Sequence, residues 1–346
     1  MTSGSAPPRI SMLDLAIVGR GQRPRDAFEA SVAMARSAEA LGYERIWYAE
    51  HHNIGSIASA APAVLIAHVA AHTSTIRLGA GGVMLPNHSP LVIAEQFGTL
   101  AELHPGRIDL GLGRAPGTDQ VTWHALRRDP AAAELFPQDV VELRGYLQGE
   151  SLRPGVAAQP GAGTNVPLYI LGSSLFGAEL AAALGLPYAF ASHFAPSLLQ
   201  QAVALYRERF RPSDQLAEPY VIAGVSAIAA ESEDEARQQL DRAIRTRVAR
   251  FLARDRELTP PEIDRLVSSP QGQQVVGMMR YSVAGTAAQV AAQLAEFGRV
   301  ADADEVMLAF AAPGLAERLR AIELVAEGSA ATRPGTARAD AAAIDD

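Results

Sequence analysis

The sequence predicts a single α/β domain, a (β/α)8 barrel, and three observations carry that expectation. Eight strand-like runs each lead into a helix-like run. The strand runs are mostly apolar along their length, as parallel strands buried on both faces are. No linker or shift of composition divides the 346 residues into two bodies. Eight units close a barrel; an open doubly wound sheet is the alternative.

Each element follows from local chemistry. Ser11 to Val18 reads as strand one, ending at Gly19-Arg20-Gly21. Pro24 to Leu41 is its helix: proline suits a first turn, Ala27, Phe28, Val32, Ala35 and Ala38 keep helical spacing, and Gly42 stops it. Arg45 to Glu50 is strand two, Pro62 to His72 a nearly all-apolar helix, and Ile76 to Leu85 strand three with glycines inside. Pro90 to Leu103 is the third helix. Strand four runs through Ile108, Leu110 and Leu112 and ends at Gly113-Arg114 before a Pro-Gly turn. Gln138 to Leu147 is helical, and Leu168 to Leu171 is strand five, turning at Gly172-Ser173-Ser174 into a helix. Tyr188 to Ser192 and Tyr220 to Ala229 are strands six and seven, and Ser232 to Ala253 is a charged helix. Glu305 to Ala311 is strand eight and Gly314 to Val325 the last helix. One stretch breaks the rhythm: Asp255 to Gly285, with Pro260-Pro261, Pro270 and Gly272, is long for a connection and reads as a lid. Residues 1–327 form the domain; from Gly328 on the polar tail has no core face and reads as mobile.

Composition excludes several functions. The formal net charge of −8 argues against nucleic-acid binding. No apolar run approaches the roughly 20 residues that span a bilayer, and the first residues lack a signal-peptide layout. There is no cysteine, hence no disulfide or thiolate metal site, and a cytoplasmic protein is the simplest reading. Every basic residue other than histidine is arginine, which removes Schiff-base and P-loop chemistry.

In a barrel the working face is built from strand C-terminal ends. Those ends collect Arg20, Glu50-His51-His52, Asn87-His88, Arg114, Ser173-Ser174, Ser192-His193 and Glu231. Adjacent His51 and His52 point to opposite sides of a strand, and no His-x-His supplies further ligands, so no metal is expected. His51 suits acid/base work with its ordinary pKa near 6.5; a histidine satisfied by Glu50 or a carbonyl is the structural alternative. Gly172-Ser173-Ser174 opens a helix, and free N–H groups, hydroxyls and the helix dipole favour an anion there, although serines also serve as plain caps. Arg114, on the neighbouring strand, would complete that site or simply cap a surface loop. The spacing Gly111-x-Gly113-x-x-x-Gly117 fails the dinucleotide fingerprint.

These stretches together resemble the bacterial luciferase-like flavin monooxygenase family. The marks are Ala49-Glu50-His51-His52, Leu85-Pro86-Asn87-His88-Ser89-Pro90 with Ala94-Glu95-Gln96, Gly106 to Arg114, Leu171-Gly172-Ser173-Ser174 and Ala303-Asp304-Glu305-Val306-Met307. The alkanal-monooxygenase-like branch, some of whose members tailor natural products, looks nearest. The resemblance implies a luciferase-type barrel with FMN as cofactor, reduced by a separate flavin reductase, and O2 as cosubstrate, oxygenating a small organic molecule through a flavin C4a-hydroperoxide. It implies Arg114 with Gly172, Ser173 and Ser174 at the phosphate, Gly81 and Gly82 at a non-prolyl cis peptide under the flavin ring, and His51 as the catalytic histidine. Family members commonly pair, which implies a homodimer through the second and third helices. Luciferase carries a cysteine where this chain has Gly113, and its aldehyde-pocket segments are not recognisable, so light emission is not carried over. The family also includes users of the deazaflavin F420; an F420-dependent oxidoreductase and a non-catalytic flavin-binding protein are the alternatives.

Overall fold

The computed structural model describes residues 8–331 apart from positions 20, 116, 254, 255, 257 and 313 and the side chain of residue 130. In chain order the elements are β1 (Arg9–Asp14), α1 (Pro24–Ala40), β2 (Arg45–Tyr48), α2 (Pro62–Ala70), β3 (Arg77–Met84), α3 (Pro90–Leu103), β4 (Ile108–Gly113), α4 (Gln120–Ala125), α5 (Phe136–Gln148), β5 (Leu168–Gly172) and α6 (Leu175–Leu184). There follow β6 (Tyr188–Phe190), α7 (Leu199–Arg209), β7 (Val221–Ala229), α8 (Glu233–Ala253), α9 (Pro260–Ser268), α10 (Pro270–Gly277), β8 (Ser282–Gly285), α11 (Ala287–Ala301), β9 (Glu305–Phe310) and α12 (Leu315–Ala331).

Strands β1 to β7 and β9 close an eight-stranded parallel barrel, through β6 on β7, β7 on β9 and β9 on β1. Successive side chains on a strand face opposite ways. One set, including Met12, Ile46, Leu78, Leu110, Leu168, Val221 and Val306, packs outward against the helices as the main core. The other fills the lumen, with Leu13, Trp47, Tyr169, Ile222 and Met307 in one cluster. The strand glycines follow from that filling. A Cβ on Gly79 would meet Trp47 Cδ1 at 2.8 Å, and one on Gly81 would meet Trp47 Cβ at 2.8 Å.

Beneath the apolar cluster, at the N-terminal ends of the strands, lies a buried ionic network. Arg45 donates from Nε to Glu305 (2.9 Å) and from Nη1 to Asp109 (2.7 Å) and the Tyr169 hydroxyl oxygen (2.8 Å). Asp109 also accepts from Trp47 Nε1 at 3.1 Å and from Arg77, and Glu305 accepts from the Tyr220 hydroxyl at 2.7 Å and from Ser11. Two arginines thus balance two carboxylates, which is what makes their burial tolerable.

Four expectations are corrected. Strand one ends at Asp14, not Val18, because the Asp14 carboxylate accepts the Ala16 N–H (2.9 Å) and Ala16 turns to φ 48°. The prolines at 260 and 270 start helices, occupying first turns where no N–H is needed, so the irregular stretch contains α9 and α10. It also contains β8, which pairs with the far half of β7, next to the stretch where β6 pairs. The last helix does not fade near Val325 but runs to Ala331. Gly328 is buried in it, where a Cβ would meet the Ala287 carbonyl oxygen at 2.3 Å, so residues 328–331 belong to the folded body. The rest of the expected tail, 332–346, lies outside the described residues, as does Arg20.

Candidate active site

The C-terminal ends of β2, β3, β4, β5 and β6 and the loops after them bring the candidate groups together. After β2 ends at Tyr48, the chain turns Glu50 and His52 toward one another and His51 away from them. Glu50 is fully buried. Its Oε1 accepts from His52 Nε2 and His88 Nε2, both at 2.7 Å, and its Oε2 accepts the Met84 N–H at 3.0 Å. An ionised carboxylate only accepts, so both imidazoles carry their proton on Nε2. Burial alone would raise the Glu50 pKa, but these donors outweigh it and hold it below the usual carboxylate range. The three residues place possible ligand atoms within 4.8 Å of one another, so they could hold a metal ion only by giving up both hydrogen bonds on Oε1.

His51 faces the other way. Its Nδ1 is buried without a hydrogen-bond partner among the described residues, and burial pushes its pKa below the ordinary imidazole value, opposed by Glu50 and aided by His52 and Arg250. The structural alternative for His51, satisfaction by Glu50, is not what the described residues show; His52 and His88 take that place. His193, after β6, is pushed down to about 3 by burial, with Arg247 and His51 adding to the effect. Its Nδ1 likewise has no partner, and it rests where Gly224 of β7 lacks a side chain, 2.4 Å from a notional Cβ.

Arg114 leaves β4 exposed, and its guanidinium carbon lies 4.1 Å from the Phe176 ring centroid. Among the described residues it makes no ion pair or hydrogen bond. Phe176 is the second residue of α6, so the cation stands over that helix's first turn. Ser174 is the N-cap, yet its side chain makes no capping hydrogen bond; Ser173 and Ser174 are half-buried. Plain capping, the structural alternative for the serines, is thus not what they do. Gly172 ends β5 beside them, and the Gly81–Gly82 peptide in β3 is cis. Glu231 does not join the mouth: it is exposed and pairs with Arg320 of α12 at 2.6 Å.

Two residues of the mouth were not singled out from sequence. Helix α8 brings Arg247 and Arg250 near enough to His193 and His51 for each charge to act on one imidazole, Arg247 on His193 and Arg250 on His51. Their signal was legible: neither has an acidic residue three or four positions away, whereas Arg237 and Arg245 of the same helix pair with Glu233 and Asp241 at that spacing.

With this geometry in view, the luciferase-like monooxygenase family profile matches residues 9–304. The chain belongs to the luciferase-like monooxygenase family. A luciferase-like monooxygenase of Escherichia coli (strain K12) is 48% identical over 301 residues, spanning 86% of this chain and 90% of its own. The crystal structure of apo-MsnO8 superposes with a TM-score of 0.84 at 34% identity, covering 94% of this chain and 99% of that one. The same fold occurs in the oxygenating constituent of 3,6-diketocamphane monooxygenase from a Pseudomonas putida plasmid, in complex with FMN, with a TM-score of 0.69 at 16% identity over 94% and 98% of the two chains. A family of monooxygenases on this barrel makes the chain an oxidoreductase. No helix among the described residues is long and apolar enough to cross a membrane.

Proposed function

We propose that this chain is the oxygenating component of a two-component, FMN-dependent system acting in the cytoplasm: it takes reduced FMN from a separate flavin reductase and hydroxylates or epoxidises a small organic substrate with O2. The observation that carries the reading is the Arg114 guanidinium over the first turn of α6, unpaired among the described residues, where Ser174 makes no capping hydrogen bond and the helix start is free for an anion. That donor set suits a phosphate monoester: a fork of N–H donors, hydroxyls and the positive end of a helix. Arg114, Gly172, Ser173 and Ser174 would hold the FMN phosphate, and Gly81 and Gly82 would lie at its ring. Reduced flavin, when bound, supplies the electrons that activate O2.

The chain's own groups do the rest. Trp47, Tyr169 and Met307 seal the lumen below the mouth and keep water from entering there. Glu50 locks His52 and His88 and, through the Met84 N–H, the end of β3. His51, held neutral by burial, can take and return a proton at Nδ1.

Arg114→Ala should weaken FMN about tenfold or more, since a charged hydrogen bond is worth roughly 1.5–3 kcal/mol. Fluorescence titration checks it, and unchanged affinity removes the phosphate assignment. Turnover with reduced F420 in place of FMN and reductase would point to hydride transfer instead. FMN binding with no oxygenated product from any substrate would point to a flavin carrier.

Two features support further parts of the reading. Helices α9 and α10 stand on α8, and α9 has no buried residue, which suits a lid over the mouth. Hydrogen exchange there should be faster than in the barrel strands and slow when reduced flavin and substrate are present; strand-like protection in the free protein argues against a lid. Helices α2 and α3 pack together and expose Val64 (70%), Val92 (44%) and Leu103 (64%), an apolar surface suited to a homodimer. Light scattering should give twice the chain mass at micromolar concentration, and a monomer there rejects the pairing.

A further inference from the structure

Helix α8 carries arginines of two kinds. Arg237 pairs with Glu233 and Asp234, Arg242 with Glu317, and Arg245 with Asp241 and Asp264. Arg247 and Arg250 have no such partner among the described residues, although both are half-buried and Arg247 Nε is sealed from solvent without a hydrogen bond. Guanidinium stays charged at any ordinary pH, so burying two of them side by side without an anion costs stability. Among the described residues no carboxylate pairs with either of them. Their charges act on His193 and His51, both with a buried Nδ1 that has no partner among the described residues. Among the described residues the two guanidiniums are therefore without countercharge, near the histidine proposed to move a proton. This pair is not the Arg114 site: α8 follows β7, and β5 and β6 separate β7 from β4.

We propose that Arg247 and Arg250 form the anion-binding end of the substrate site, so that the substrate is a small organic acid, a carboxylate or sulfonate, whose head group docks on these two guanidiniums while the rest of the molecule reaches His51. Calling this ligand the substrate rests on the monooxygenase reading; the anion site itself does not. The ligand supplies the missing countercharge, and bidentate geometry fixes which carbon or heteroatom lies near His51.

Calorimetric titration of the full-length, FMN-loaded protein with hexanoate, hexanesulfonate and neutral hexanamide tests the proposal. The two anions should bind about tenfold or more tightly than the amide. Arg247→Gln and Arg250→Gln should each erase most of that preference while leaving hexanamide and FMN affinity unchanged, and Arg250→Lys should keep part of it. Each Gln variant removes an unpaired buried charge, so without anion it should melt no earlier than wild type, which separates loss of the site from loss of the fold. Equal binding of hexanoate and hexanamide by wild type overturns the proposal, as does a preference that survives both Gln variants. Loss of FMN binding in those variants would show that the arginines hold the cofactor, and overturns it too. If the protein does not load FMN, the same titrations on the cofactor-free chain apply. An anion preference there, lost in the Gln variants, upholds the anion site while the flavin reading falls.

Discussion

His51→Ala is expected to lower substrate oxygenation by about 10²–10⁴, the usual contribution of a positioned general acid/base. FMN affinity should stay at the wild-type level, because the phosphate donors lie at β4 and α6 and not at β2. Thermal stability should also hold: His51 Nδ1 makes no hydrogen bond that its removal would break. The pH profile carries a second signature. The folded-state pKa of His51 is depressed, so its neutral form persists below the ordinary imidazole value and is lost only as pH falls through the lowered one. Activity that needs the neutral ring should therefore have its acid limb below about 6.5, and that limb should vanish in the alanine variant. An early-melting His51→Ala whose folded fraction turns over normally would show that the histidine is structural. His193 provides the contrast within the same mouth. Its imidazole is pushed down to about 3, so it stays uncharged through the working range and cannot set that limb.

The second large effect is expected at the opposite end of the barrel. Asp109→Ala should destabilise the protein by about 3–5 kcal/mol, because Arg45 and Trp47 Nε1 lose their acceptor in a place that water does not reach, and the half-buried Arg77 loses its carboxylate too. For a chain of this size that corresponds to a fall in melting temperature on the order of 10 °C. Removing Arg45 together with Asp109, in favour of Met and Leu, should recover part of the loss, since a buried pair costs more to break than to replace. Arg320→Ala, which removes three surface ion pairs, should leave melting near wild type. Calorimetry on the three variants decides the matter: an Asp109→Ala protein that melts like Arg320→Ala means the network is not what holds the barrel floor.

The sequence by itself determined the architecture and the positions of most of the mouth. Eight apolar runs with helices between them leave few alternatives to a closed parallel barrel, because period and burial are local properties that each segment displays alone. The same local logic located His51, Arg114 and the Ser173-Ser174 turn, since strand ends and helix starts are visible in the order of residues.

What only the tertiary structure decided is who meets whom. Ile108-Asp109-Leu110 reads as a strand in isolation, but that Asp109 serves as a buried counter-ion depends on Arg45 and Arg77 arriving from 64 and 32 positions away. Glu50 stood next to His51 in the chain and looked like its partner; the turn after β2 brings it instead toward His52 and toward His88, 38 positions on. The glycines within strand three show no reason of their own in sequence, and the barrel supplies Trp47 as the neighbour of Gly79 and Gly81. Arg247 and Arg250 lay inside a charged helix where most residues face solvent, and only the fold brings those two half-buried charges near His193 and His51. Charge pairing and side-chain packing are set by distances across the fold, which no window of sequence contains; periodicity and turn chemistry are set by neighbours along the chain, and those the sequence holds in full.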